Sequence, residues 1–219
     1  MTSGSGPLHA GGARESILDR IRQATAPRPP ARPAATPAYG LGSPRPQEQL
    51  VDELVHWLTG YGASATRVDA ARIGDAVTDR LAAAGRRRLA IPHDLPETWA
   101  PAGYELTRDD GRIAVEELDD CEGALTACRL AIAETGTIVL DGGPGQGRRL
   151  LSLLPDYHLC VIVEGQIVGS VPEAIRSLDP ARPLTFVSGP SATVDIEFTR
   201  VGGVHGPRTL DVIVAEGPR

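Results

Sequence analysis

Lysine is missing from this 219-residue chain; all 22 of its basic residues are arginine. Schiff-base chemistry and pyridoxal phosphate attachment need a lysine amine, and so does the phosphate-binding loop of nucleotide hydrolases, so these mechanisms drop out. In a chain rich in Ala, Arg, Gly and Pro, the absence also reflects a mutational bias of the source genome. Cysteine is scarce as well. Cys121, Cys128 and Cys160 are odd in number and match neither a disulfide framework nor a Cys-x-x-Cys metal knuckle, which fits a reducing compartment. They fall in or beside apolar segments, where inert buried thiols are the rule. An iron–sulfur cluster normally takes four cysteine ligands, so none is expected on this chain alone. No run approaches the roughly 18 to 20 apolar residues of a membrane span, and the start lacks the basic and apolar regions of a signal peptide, so a cytoplasmic location is expected. Clustered positive charge is lacking too. The net charge is −6, with +3 on residues 1–49 and −9 on the rest, which argues against nucleic acid as a partner. Arg86-Arg87-Arg88 reads as a solvated helix end. The Gly-x-Ser-x-Gly elbow and the His-x-x-x-His pair are absent, and His56 and His93 read as packing or surface residues.

What is present suffices for one α/β domain with a tail, since apolar residues make up 41% of the chain. Residues 1–46 read as a flexible N-terminal arm, Gly/Ser-rich at first and carrying seven prolines between Pro27 and Pro46. Within it, Ile17, Leu18 and Ile21 form one apolar stripe on a short docking helix over 14–24. From Gln47 the spacing of Leu50, Leu54, Trp57 and Leu58 predicts a helix stopping at Gly60. A strand at 63–68, a helix at 70–84 burying Ile73, Val77 and Leu81, and a strand at 88–91 follow. Further strands are expected at 113–116, 124–127, 137–140, 158–163, 184–187 and 210–214, with helices at 148–154 and 172–178. Gln166 to Val168 reads as the return arm of a tight hairpin through Glu164-Gly165. The alternation predicts a three-layer α/β sandwich with a mixed, mostly parallel sheet over 47–219.

Three glycine-rich stretches could carry chemistry. In the first, the turn Glu134-Thr135-Gly136-Thr137 can offer amides and two hydroxyls to a small anion, with Glu134 as base or acceptor; a plain connecting turn is equally compatible. In the second, Asp141 to Arg149, Gly142 and Gly147 are spaced as in a phosphate loop, but arginines replace the Lys-Ser/Thr pair. What survives is an anion site at a helix start, using Gln146 and Arg148, or simply a loop. The third joins Gly189, Ser191, Thr193, Asp195 and Glu197 to His205 and Gly206; two acids and a histidine supply groups for proton transfer, while Ser191 or Thr193 could merely cap a short helix. Converging at the strand ends, Glu134 to Thr137, Gly189 to Ser191 and His205 would form a cradle for a small organic acid.

The blocks Ile132-Ala-Glu-Thr-Gly-Thr-Ile-Val139, Gly147-Arg-Arg with Ser152-Leu-Leu-Pro-Asp-Tyr-His-Leu159, Ser188-Gly-Pro-Ser191, Asp195-Ile-Glu197 and Gly203-Val-His-Gly-Pro207 resemble the signature blocks of the lactate-utilisation protein C family. The likeness runs from about residue 120 onward. It implies a LUD domain, similar in fold to the sugar-phosphate isomerase and coenzyme A transferase superfamily. It also implies a non-redox subunit of a system oxidising L-lactate to pyruvate, beside partner subunits that carry the iron–sulfur clusters. It assigns no catalytic residue. The alternative is a self-sufficient isomerase or acyl transferase on the same fold, with Glu134 as nucleophile.

Overall fold

The computed structural model describes residues 10–25, 44–194, 200–202 and 206–217. By its internal contacts the chain divides into Met1–Tyr39 and Gly40–Arg219. The first unit holds α1 (Ala10–Ala24), four residues longer at its start than the spacing predicts. Its Ile17 and Ile21 are exposed.

The second unit is built on a six-stranded sheet. Its strands are β1 (Ser64–Asp69), β2 (Arg88–Pro92), β3 (Glu105–Asp109), β4 (Gly123–Ala127), β7 (Tyr157–Val163) and β12 (Thr209–Glu216). They lie in the order β1-β12-β7-β4-β2-β3, and every neighbouring pair is parallel. Parallel strands are covered on both faces, which is why β2, β7 and β12 read as nearly unbroken apolar runs. A second sheet, ordered β8-β5-β6-β9, supplies the antiparallel pairings; it consists of β5 (Leu130–Ile132), β6 (Thr137–Leu140), β8 (Ile167–Val168) and β9 (Thr185–Val187). Thus the expected α/β sandwich is present, its parallel and mixed parts lying in two sheets.

On one face of the large sheet lies α3 (Ile73–Ala84), whose buried Ile73, Val77 and Leu81 meet Leu89, Leu125, Leu159 and Ile213. Fully burying a side chain of this kind stabilises by about 1.5–3 kcal/mol. Gly85, left-handed at φ +65°, ends the helix, its N–H reaching the carbonyls of Leu81 and Ala82. Arg80 of α3 pairs with Asp211 of β12, which also accepts the Tyr157 hydroxyl at 2.7 Å. On the other face, α2 (Gln47–Gly60) and the small sheet cover Cys160, Ile162, Val212 and Val214. Outside the small sheet, α5 (Val171–Ser177) buries Ala174 against Leu130, Ile132 and Val139.

Several local expectations give way. Residues 113–116 are not a strand: α4 (Val115–Asp119) starts there, with Glu116 and Glu117 favourably placed in its first turn. No hairpin forms at Glu164-Gly165. The Gln166 side chain accepts from the Val163 N–H at 2.8 Å, and the chain turns so that β8 pairs in parallel with β5. Helix α2 runs through Gly60 to a cap at Tyr61, and 148–154 forms only a 3-10 turn at Arg149–Ser152. A short strand, β10 (Ala192–Val194), stands where Ser191 or Thr193 was expected to cap a helix; it pairs with β11 (Arg200–Gly202).

Candidate functional site

Strand order decides where the large sheet can hold a ligand. β2 and β4 are neighbours, yet the chain leaves β2 outward for β3 and leaves β4 the other way, towards β7. Such a reversal opens a crevice beyond the carboxyl ends of the two strands. A cavity of about 580 Å3 lies there, within the size range of ligand clefts. The segment after β2 contributes His93 and Asp94, the end of β3 contributes Asp109 to Gly111, and the glycine-rich stretch from Asp141 to Arg149 forms much of the wall.

That glycine-rich loop is wound around one reciprocal pair. The Asp141 N–H donates to Gln146 Oε1 at 2.7 Å, while Gln146 Nε2 donates to Asp141 Oδ1 at 2.9 Å. The Gly143 N–H adds a third bond to the same carboxylate. Gly145 then joins the loop to the sheet: its carbonyl accepts the Ala127 N–H of β4 at 2.7 Å, and its own N–H donates to Asp94. Its φ of +69° and its packing against Ala127 suit glycine.

The charges around the cavity are mostly spoken for. Asp109, fully buried in its side chain, receives Arg148 Nε at 2.7 Å, and Arg148 also donates to the Ile113 carbonyl. Buried Asp141 has Arg182 at 3.4 Å and Arg129 at 3.8 Å. Three exposed charges on the cavity wall have no ion pair among the described residues: Arg149, Asp94, which accepts the Gly145 N–H, and Asp110, which accepts the Arg112 N–H. Gln146 and Arg148, expected to bind ligand, therefore do reach this cavity but are committed to building it.

The other candidates fall elsewhere. Gly189, Ser191 and Gly206 line a smaller cavity of about 270 Å3, which shares Ser152 and Thr185 with the larger one. Glu134 lines a third, beside Arg45, Glu53 and Glu173. There its Oε1 accepts the Val171 N–H at 2.7 Å, at the start of α5. Thr135 and Thr137 bond each other, and Thr137 bonds Ser188, both at 2.8 Å, tying this turn to the Ser188-Gly189 segment. Gly136 is left-handed at φ +58°, and a Cβ there would stand 2.4 Å from the Trp57 Cβ. Asp195, Glu197 and His205 lie outside the described residues, as does the side chain of Thr193. Among the described residues, then, Glu134 and Ser191 border different hollows.

A family model described as LUD domain matches residues 16–215. The chain belongs to the LUD domain family. This LUD domain is 42% identical over 206 residues to lactate utilization protein C of Deinococcus radiodurans, covering 92% of this chain and 95% of that one. It is 26% identical over 227 residues to lactate utilization protein C of Shouchella clausii, covering 93% and 97%. A crystal structure of a DUF162 family protein from Deinococcus radiodurans superposes with a TM-score of 0.67 at 38% identity, covering 80% of this chain and all of that chain.

Sequence reasoning missed His93, Asp94, Asp109, Arg149 and Arg182 as cavity residues. One signal was available: polar residues immediately after the apolar run of β2, where a parallel strand ends. The three cysteines of this LUD domain are buried, Cys128 and Cys160 in one apolar cluster and Cys121 in another. Burial raises the Cys121 thiol above its ordinary value. Among the described residues no group of three or more His, Cys, Asp or Glu side chains could hold a metal ion, and no helix is long and apolar enough to cross a membrane.

Proposed function

We propose that this LUD domain serves L-lactate utilisation as a subunit without a redox centre, holding a small carboxylate in the cavity beyond β2 and β4 while partner subunits carry the iron–sulfur clusters. The names of its relatives support the first half of this reading. The observation that carries the second is Arg149, the cleft's one guanidinium without an ion pair among the described residues, since Arg148 and Arg182 on the same wall are held by Asp109 and Asp141. Guanidinium pairs with carboxylate in two parallel hydrogen bonds, which makes it the natural anchor for a 2-hydroxy or 2-oxo acid. His93, exposed on the same wall, supplies a ring that can meet the hydroxyl or keto oxygen. Electrons leave through the partner.

Calorimetric titration with L-lactate and pyruvate tests the reading. Both acids bind the wild type, and Arg149→Gln weakens them about tenfold or more, the value of one charge-assisted hydrogen bond. Unchanged affinity in that variant, or no binding by the wild type, refutes the carboxylate site. Co-purification with iron-containing proteins from cells grown on L-lactate tests the partner half. A protein isolated alone from such cells, with growth on lactate unaffected by its deletion, refutes that half.

A further inference from the structure

The smaller cavity has a different chemical character from the cleft. Its 14 described lining residues include no arginine and no carboxylate; they are hydroxyl-bearing, apolar or glycine residues, plus His158. His158 lies on β7, between Ala124 of β4 and Leu210 of β12, on the face covered by the small sheet. Only 2% of the residue is exposed. One ring nitrogen, Nε2, is bonded to Thr126 Oγ1 at 2.8 Å. The other, Nδ1, has no partner among the described residues, although the ring lines the cavity. The buried partnerless side-chain atoms among the described residues are Arg86 Nε and Arg108 Nη1 and do not include Nδ1, which is therefore open to a partner in the cavity that the ring lines.

We propose that this cavity is a second ligand site, taking a small uncharged hydroxyl compound, or the uncharged hydroxyl end of a larger one, with His158 Nδ1 as the recognition atom. Three observations narrow the class. The described lining holds no cation, so against it a carboxylate or phosphate would be desolvated with no compensation and a neutral occupant is favoured. The Thr126 bond leaves the tautomer open, so Nδ1 either donates or accepts, and a hydroxyl serves both cases where a carbonyl or an ether serves one. Ser152, Ser188 and Ser191 add hydroxyls around an otherwise apolar space formed by Leu153, Val187 and Leu210, the mixture that suits a short diol or alcohol. Burial also holds the imidazole neutral at physiological pH, so it exerts no pull on anions. The two hollows therefore sort ligands by charge, anions to the cleft and neutral hydroxyl compounds to the chamber beside it.

The probe is propane-1,2-diol, added to full-length protein labelled with 15N in its five histidine rings. The His158 ring resonances are identified as those lost in His158→Gln, or, should that variant fail to fold, as those displaced in Thr126→Val. The diol is expected to shift the His158 resonances saturably, and L-lactate at the same concentration is not. Leu153→Phe, which fills the chamber from a half-buried wall position, abolishes the shift. The proposal fails if the diol gives no saturable shift, if lactate gives the same one, or if the filled variant still responds; a Nδ1 satisfied by water alone would give the first result. Binding of carboxylates at Arg149 is read separately by calorimetry, so failure here leaves that site untouched.

Discussion

One side chain, His158, should contribute a separable part of this protein's destabilisation by acid. Burial without a charged partner holds the His158 imidazole down to about 4, against an ordinary 6.5 in the unfolded chain. Between those values the unfolded chain takes up a proton that the folded chain refuses. The stability this contributes is complete above pH 6.5, falls as the pH drops towards 4 and levels off below it. One proton gives a slope of about 1.4 kcal/mol per pH unit, so the whole window is worth about 3 kcal/mol, a large share of the margin of an ordinary domain. Urea unfolding of wild type and His158→Gln at pH 7, 6, 5 and 4 isolates the effect, since carboxylates titrating in the same range act equally in both. Wild type should lose about 3 kcal/mol more than the variant across the series. Parallel curves would refute the reasoning and mean that the ring takes up its proton in the fold as readily as in the unfolded chain.

Three further outcomes follow from the geometry. Arg148→Met strands the Asp109 carboxylate in a dry site and should cost about 3–5 kcal/mol, whereas Arg148→Met with Asp109→Leu should recover much of it, measured by chemical unfolding. Gly136→Ala forces a side chain into the left-handed region and against Trp57, so a loss of at least about 1–2 kcal/mol should appear as a lowered Tm. Glu134→Gln keeps an acceptor for the Val171 N–H and should leave Tm and growth on L-lactate nearly unchanged; loss of growth with normal folding would restore Glu134 as a reacting group.

Regular elements were legible where one side of them is buried. The stripes of α2 and α3 appear as Leu50, Leu54 and Leu58 and as Ile73, Val77 and Leu81, all buried, although Trp57 of the same apolar pattern remains 38% exposed. Short elements were not legible. β5 has three residues and β8 two, too few for a period to show, and both owe their existence to pairing partners rather than to local preference. Ile113 looked like strand because it is apolar, but the acids after it favour a helix start. In the site, glycine density pointed to the loop of Gln146 and Arg148, yet not to what those side chains do, because their partners Asp141 and Asp109 are fixed by tertiary contacts. His93 and Arg149 belong to a crevice that exists only once β2 and β4 are known to be neighbours, and no local pattern records strand order.

That order also governs how the protein is made. Among the described strands β1 hydrogen-bonds only to β12, and β12 sits between β1 and β7 although it follows all the other described strands of the large sheet in the chain. Until it arrives β1 has no neighbour among the described strands and β7 keeps a bare apolar edge, open to pairing with another nascent chain. Assembly of the large sheet should thus be a late, slow event with long-range closure, and the emerging polypeptide should depend on chaperones until β12 has left the exit tunnel.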